Sequence, residues 1–266
     1  MFVGHRQPRR GRVGPILLAA ALAFSSGGAR ADELVVVATR PGITQPFYVT
    51  RPDGPPVASV VLFTGGDGRL GPYHPANLQH GNFLVRSRDL FVAEGFLVAV
   101  PDVPSDQAAG LGGFRLSAEH ARDIAEIVGW LRTQGPAPIW LVGTSRGTLS
   151  AALGAALAPG VHGLVLTSAV TRNAPAEPGT VFSVGLDRIT VPTLVVNHRD
   201  DGCFVAVPDD APRVLAALAH APVKEAQVYD GGAPARSGPC EALSPHGYFG
   251  IEPKVVTGIA DWIKRH

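Results

Sequence analysis

Short, continuous apolar runs recur along the chain, and segments of helical periodicity separate them. The runs cover residues 34–38, 60–63, 96–100, 139–142, 163–167, 192–196 and 226–229. Because the runs are uninterrupted instead of alternating with polar residues, they predict strands that are buried on both faces. Strands of that kind are typical of a parallel sheet covered by helices.

The segments between the runs predict helices. Helical spacing of apolar residues is found at 83–93, 148–157, 211–219 and 254–263, and in a helix that Ser117 caps. This alternation of strands and helices predicts one doubly wound α/β domain. Only about twenty residues, rich in Pro, Gly and Thr, separate the runs at 163–167 and 192–196. We therefore expect a loop there and no sizeable lid domain, with segments 73–83 and 104–114 bordering an open site.

The fourth run leads directly into Gly143-Thr144-Ser145-Arg146-Gly147, and a helix of small residues follows. A strand, a sharp turn and a helix with serine at the apex expose a nucleophilic hydroxyl. The turn is strained, so the residues two before and two after the serine must be small. Amides at the helix N-terminus favour the negative charge that develops when a serine attacks a carbonyl. The pattern predicts Ser145 as a nucleophile.

A serine nucleophile needs a base and an acid that orients the base. With the nucleophile on a strand–turn–helix, the chain order is serine, acid, histidine. The run at 192–196 leads to two candidate acids, Asp200 and Asp201. Asp201 is favoured because the acid needs a turn beyond the edge of the sheet, and Asp200 is the alternative.

Three histidines follow the acid: His220, His246 and His266. His220 ends an alanine-rich helical stretch, and His266 ends the chain. His246 lies in a loop between the last strand and the last helix, where neighbouring glycines leave room for an imidazole. We therefore predict His246 as the base. The other histidines are expected to be surface or packing residues, His74, His80, His120, His162 and His198 among them.

Two backbone amides should form an oxyanion hole. One is the N–H of Arg146, directly after the nucleophile. The other is expected from the glycine-rich loop that follows the run at 60–63, with Gly66 as first choice and Asp67 as second. A phosphate-binding loop is the rival interpretation, but the loop lacks the G-x-G-x-x-G spacing and the P-loop lysine.

Taken together, these residues resemble the α/β-hydrolase superfamily, in particular esterases and dienelactone hydrolases with a minimal lid. The resemblance covers residues 34–265 and includes the Ser145 turn, the Gly-Gly loop, Asp201, and His246 in His-Gly-Tyr-Phe. It implies an eight-stranded, mostly parallel sheet. It also implies a triad in which Ser145 is the nucleophile, Asp201 the acid and His246 the base.

Two positions depart from the pattern of the superfamily. Thr64-Gly65 stands where His-Gly is usual, and Arg146 stands where Gln, Met or Ala often follows the serine. The charge of Arg146 either favours acidic substrates or pairs with an aspartate at the surface.

Residues 1–31 have the features of a secretory signal peptide: a basic start, an apolar run at 15–24 and a cleavage site at Ala29-Arg30-Ala31. The apolar run is too short to span a bilayer. We expect cleavage near Ala31, a mature domain at 32–266, and a periplasmic or secreted protein with no stable membrane insertion. Loss of five arginines with the signal takes the formal charge from +1 to −4, so nothing suggests a nucleic-acid partner.

The chain has two cysteines, Cys203 and Cys240. Cys203 lies two residues after Asp201, and Cys240 lies six before His246. If the acid and the base meet, the loops that carry them are neighbours, and the cysteines come within bridging range. In an oxidising compartment this predicts a disulfide. The alternative is two unpaired buried thiols.

The sequence predicts an exported serine hydrolase that cleaves a small-molecule carboxylic ester through an acyl-enzyme on Ser145, with thioesters and amides less favoured. No cofactor is expected, and no His/Cys/Asp spacing resembles a metal site. The alternatives are a non-catalytic binding protein and a cofactor-free lyase or peroxidase on the same fold. The acyl group, the leaving group and the oligomeric state stay open.

Overall fold

The computed structural model describes residues 1–4, 32–70, 81–174 and 178–266. The chain divides into two units, Met1–Arg30 and Ala31–His266. Of the first unit, residues 1–4 are described, and they are exposed without regular secondary structure. The rest of the predicted signal peptide lies outside the described residues.

The second unit is built on one eight-stranded sheet, as expected. Its strands are β1 (Glu33–Arg40), β2 (Ile43–Thr50), β3 (Ala58–Phe63), β4 (Phe96–Pro101), β5 (Ile139–Thr144), β6 (Gly163–Thr167), β7 (Thr193–His198) and β8 (Lys224–Tyr229). Their order across the sheet is β1-β2-β4-β3-β5-β6-β7-β8. Strand β2 is antiparallel to both of its neighbours, and all other pairs are parallel. The predicted fold class, an α/β fold with a mostly parallel sheet, is confirmed.

Strand β2 is the one strand that the apolar runs do not mark. It reads ITQPFYVT, so polar residues and Pro46 interrupt the apolar pattern. It pairs with β1 through a tight turn in which Gly42 has a φ of +73°. Pro41-Gly42 in the sequence is the turn signal that identifies this hairpin.

Among the described residues, three helices cover each face of the sheet. The helices are α1 (Phe83–Arg86), α2 (Arg88–Ala93), α3 (Ala118–Thr133), α4 (Gly147–Leu157), α5 (Ala211–Ala217) and α6 (Glu252–Arg265). Helices α3, α4 and α5 pack on one face, and α1, α2 and α6 pack on the other. The single helix predicted at 83–93 is broken at Ser87, whose φ of −97° and ψ of 2° end one helix and begin the next.

The two faces of the sheet carry separate apolar layers because successive side chains of a strand point to opposite sides. In β3, Val61 and Phe63 belong to the layer under α3–α5, and Val60 and Leu62 belong to the other. All four are buried. Burial on both faces explains why the central strands appear as continuous apolar runs.

No lid domain lies between β6 and β7 in the described residues 168–174 and 178–192. That connection contains two short 3₁₀ helices, Val181–Val184 and Leu186–Arg188. Throughout the described residues of the chain, no helix combines the length and apolar composition needed to cross a membrane.

Gly163 in β6 provides a test of the packing on the face of the sheet that α1, α2 and α6 cover. It lies opposite Trp140 of β5, and a Cβ at this position would overlap the Trp140 ring. That ring packs edge-on against Trp262 with centroids 5.5 Å apart, so it cannot move aside without disturbing α6. We expect Gly163→Ala to lower the free energy of unfolding by about 1–3 kcal/mol in urea titration.

Gly129 is the matched control because it is exposed within α3 and a Cβ there would meet no atom. Gly129→Ala should raise the free energy of unfolding by about 0.5–1 kcal/mol. A Gly163→Ala variant as stable as the parent would contradict the packing described for Trp140.

Candidate active site

Ser145 occupies the turn between the end of β5 and the start of α4. Its φ is +51°, in the left-handed region that non-glycine residues seldom adopt. This backbone conformation costs about 1–3 kcal/mol. Its backbone N–H donates to the carbonyl of Thr167 at 3.0 Å, which fixes the turn to the neighbouring strand β6. This hydrogen bond helps to hold the serine in its strained conformation at the apex of the turn.

The two glycines around Ser145 are required by close backbone approach. A Cβ on Gly143 would overlap the carbonyl of Gly147, and a Cβ on Gly147 would overlap the carbonyl of Phe63. Backbone atoms cannot give way as a flexible side chain can. The start of α4 therefore lies directly against the end of β3.

Asp201 and His246 form a buried hydrogen-bonded pair. The Nδ1 of His246 is 2.8 Å from Oδ2 of Asp201. The other carboxylate oxygen, Oδ1, accepts the backbone N–H of Cys203 at 2.9 Å. A carboxylate oxygen accepts, so Nδ1 donates this hydrogen bond, and in the neutral imidazole Nε2 then presents a lone pair. The carboxylate thus sets both the orientation and the tautomer of the imidazole.

The alternative acid, Asp200, has a different environment. Its backbone N–H donates to Nδ1 of His198 at 3.0 Å, and the residue is exposed. The geometry brings Asp201 to His246 and leaves Asp200 at the surface. His220 contacts the carbonyl of Asp187, away from this pair.

Ser145 and His246 line the same cavity, whose volume is about 290 Å³. The Nε2 of His246 is buried and has no hydrogen-bond partner in the described part of the chain. It is therefore available to a group that enters the cavity. Other described residues that line the cavity include Gly65, Gly66, Asn82 and Cys240.

The glycine-rich loop after β3 borders Ser145. A Cβ on Gly65 would lie 2.9 Å from Cβ of Ser145, and both Gly65 and Gly66 line the cavity. Asp67, the second choice for an oxyanion donor, pairs with Arg69 and is not among the described lining residues. The backbone of Arg146 lies at the N-terminus of α4, where amides favour negative charge, and its side chain is buried.

Solved structures of similar architecture were found across almost the whole chain. An esterase of Pyrococcus furiosus matches with a TM-score of 0.65 at 14% identity, covering 89% of this chain and 91% of that chain. A putative dienelactone hydrolase from Klebsiella pneumoniae matches with a TM-score of 0.57 at 18% identity, covering 90% of this chain and 100% of that chain. A cold-adapted esterase from an Arctic intertidal metagenomic library matches with a TM-score of 0.56 at 17% identity, covering 88% of this chain and 92% of that chain.

The chain has the α/β-hydrolase fold. Neither a family model nor a curated protein matches its sequence. The likeness to these α/β hydrolases is therefore one of fold, and it agrees with the eight-stranded sheet implied by the resemblance.

Ser168 and Tyr248 were not identified from the sequence, although they hold the histidine loop of this α/β-hydrolase fold. Ser168 directly follows β6, and its Oγ donates to the carbonyl of His246 at 2.8 Å. Its N–H donates to the phenolic oxygen of Tyr248 at 3.1 Å, and that hydroxyl donates to the carbonyl of Val196 at 2.8 Å. Complete burial raises the pKa of the Tyr248 phenol above its usual value, so it stays a neutral donor.

Helix α1 also supports this loop. Asn82 caps α1 by accepting the N–H of Leu84 at 3.1 Å. Arg86 donates to the carbonyl of Gly247 and, through Nε, to the carboxylate of Glu252 at 2.9 Å. Asn82 and Phe83 line the cavity, whereas no described residue of 104–114 does.

Cys203 and Cys240 form the predicted disulfide, which joins two segments 37 residues apart. The bond ties the loop of Asp201 to the segment that precedes His246. Cys240 itself lines the cavity. The described residues contain no free cysteine and no group of three or more His, Cys, Asp or Glu side chains that could hold a metal ion.

Reduction of this disulfide should lower the activity of the folded protein. Closing a loop of this length removes about 4 kcal/mol of unfolded-state freedom on the chain-entropy model. The bond constrains two site loops and no central strand, so we expect function to be lost at temperatures where the sheet stays folded. Turnover of the ester substrates proposed below and far-UV circular dichroism, measured with and without reductant, test this.

The Cys203→Ser/Cys240→Ser double variant is the control, since reductant should leave its activity unchanged. Peptide mapping without reductant should recover the linked pair. Free alkylation of both cysteines in the folded, active protein would contradict the stapling of the two loops.

Proposed function

We propose that this chain is an exported serine hydrolase that cleaves small-molecule carboxylic esters. One observation carries the proposal: the buried Asp201–His246 pair leaves Nε2 without a partner among the described residues, in a cavity shared with Ser145. A base oriented by a carboxylate beside a strained serine is the arrangement that nucleophilic acyl transfer requires.

In the proposed reaction, Ser145 Oγ attacks the carbonyl carbon of the ester while Nε2 of His246 accepts the hydroxyl proton. The carbonyl oxygen becomes an oxyanion and accepts hydrogen bonds from backbone N–H groups of the loop at Gly65–Gly66 and of Arg146. Collapse of the tetrahedral adduct breaks the bond to the leaving alkoxide. The imidazolium of His246 returns its proton to that oxygen, so an alcohol departs and an acyl-enzyme remains.

Water completes the cycle by the same steps. His246 removes a proton from water, the hydroxide oxygen attacks the acyl-enzyme carbonyl, and the carboxylic acid leaves as the proton returns to Ser145. Asp201 keeps its hydrogen bond to Nδ1 and stabilises the imidazolium in both halves. Acidification stops the reaction because a protonated imidazole cannot accept the serine proton.

Two further observations support ester hydrolysis. The structurally similar proteins include esterases and a putative dienelactone hydrolase. The cavity of about 290 Å³ is at the lower end of the usual range for ligand pockets, which suits small esters. A non-catalytic binding protein has no need of a serine held at a φ of +51°.

The disulfide supports export. Disulfides persist in oxidising compartments, and Cys203–Cys240 is bonded. Together with the basic start, the apolar run and Ala29-Arg30-Ala31, it favours a periplasmic or secreted enzyme.

Single substitutions test the three roles on p-nitrophenyl esters of graded chain length. Ser145→Ala and His246→Ala should each lower kcat on the order of 10⁴- to 10⁶-fold while the fold is kept. Asp201→Asn should cost about 10⁴-fold, because the amide no longer selects the productive imidazole tautomer.

Asp200→Asn is the matched control, since it makes the same chemical change one residue away at an exposed position. Its kcat should stay within about 2-fold of the parent. Parent-like turnover in Ser145→Ala would refute the mechanism, and a reversed ranking of the two aspartates would move the acid to Asp200.

A further inference from the structure

Arg115 is a fully buried arginine behind the glycine-rich loop. It lies in the 3₁₀ helix Gly112–Leu116 and is 1% exposed. A guanidinium in such an environment carries a large desolvation cost unless its N–H groups find good acceptors. The acceptors of its N–H groups therefore show which parts of the fold the guanidinium stabilises.

The guanidinium binds two structures that meet at the nucleophile. Nη2 donates to the carbonyls of Thr64 and Gly66, each at 3.1 Å. Nη1 donates to Oγ of Ser150 in α4 at 2.7 Å. One planar group thus connects the loop after β3 to the helix that begins beside Ser145.

These bonds determine which way the loop peptides face. All four carbonyls of residues 64–67 accept hydrogen bonds, and Arg115 donates to two of them. The carbonyl of Gly65 accepts from the N–H of Gly68 at 3.2 Å. The carbonyl of Asp67 accepts from the N–H of Leu111 at 2.7 Å. In a trans peptide the C=O and the next N–H point in opposite directions. Holding the carbonyls away from the cavity therefore directs N–H groups of the loop towards it.

The loop N–H groups have no acceptor within the part of the chain that the structure describes. Among the described residues, the N–H groups of Gly65, Gly66 and Asp67 donate to no acceptor. Gly65 and Gly66 line the cavity beside Ser145. Preorganised donors of this kind stabilise an oxyanion without reorganising during the reaction.

The surroundings of Arg115 fix its position. A Cβ on Gly68, whose φ is +86°, would lie 2.9 Å from Nη2, so the loop packs directly on the guanidinium. Nε2 of His120 lies 2.9 Å from Oγ of Ser150. Burial, with the positive charges of Arg115 and Arg40, lowers the pKa of His120 to about 3. The Ser150 hydroxyl therefore shares one hydrogen bond with the neutral imidazole of His120, and its Oγ accepts another from Nη1 of Arg115.

We propose that Arg115 is a positioning residue for the oxyanion hole: it holds the loop at residues 64–67 with N–H groups facing Ser145, and it places a buried positive charge behind them. This inference rests on the proposed ester hydrolysis. The charge acts through hydrogen-bonded peptides in a poorly screened interior, where it favours a developing oxyanion more than a neutral ester.

Arg115→Lys tests the proposal, because a lysine keeps the charge but cannot donate in the same planar, forked geometry. We expect kcat for a p-nitrophenyl ester to fall about 10- to 100-fold while KM changes less than about 3-fold. Affinity for an alkyl boronic acid, which forms a tetrahedral adduct with the serine, should fall by the same factor as kcat. A purely structural role would not couple kcat to boronate affinity at unchanged KM.

Arg88→Lys is the matched control. Arg88 is another buried arginine, 5% exposed and paired with Asp32 at 3.0 Å, and it lies in α2 away from the cavity. Its kcat per folded molecule should stay within about 2-fold of the parent. Ser150→Ala, which removes one acceptor and keeps the charge, provides a second test if Arg115→Lys does not fold. It should lower kcat and boronate affinity together by about 3- to 10-fold.

Two results separate failure of this proposal from failure of the proposed function. If the parent hydrolyses esters and Arg115→Lys, or Ser150→Ala in its place, behaves like the control, the role of Arg115 is refuted and the function stands. If the parent neither hydrolyses esters nor binds the boronic acid, the proposed function is refuted, and the role of Arg115 with it.

Discussion

The structure depends on how closely the turn at Ser145 approaches the end of strand β3. A single Cβ on Gly147 would overlap the carbonyl of Phe63, so the nucleophile helix and the neighbouring strand meet backbone to backbone. That contact brings the loop after β3 against the serine, since a Cβ added to Gly65 would lie only 2.9 Å from the Cβ of Ser145. Strain at Ser145 persists because the surrounding backbone leaves the turn no other conformation.

The parallel sheet gathers the other components at one edge, because loops at the carboxyl ends of parallel strands are neighbours. Each loop is then held by contacts from elsewhere. Tyr248 and Ser168 hold the histidine loop, and the disulfide holds the acid loop. Arg115 holds the loop after β3. Short loops without a lid domain are positioned in this way by buried hydrogen bonds and one covalent bond.

Much of the fold could be predicted, because buried parallel strands appear as continuous apolar runs and Ser145 stands in a local strand–turn–helix pattern. Strand β2 was missed, because Pro46 and polar residues interrupt its apolar pattern. The disulfide was predicted from the positions of the cysteines relative to Asp201 and His246. Ser168 and Arg115 had no comparable signal. Their partners lie 78 residues away, at His246, and 51 residues away, at Thr64, and only the folded chain brings them together.

The central claim is that Ser145 is a nucleophile activated by His246. Mass spectrometry of the protein after reaction with a fluorophosphonate tests this claim without knowledge of the natural substrate. The account predicts the addition of one phosphonyl group, located on the peptide that contains Ser145, and greatly slowed labelling in the His246→Ala variant. Absence of labelling in the folded protein, or labelling at another residue, would contradict the account.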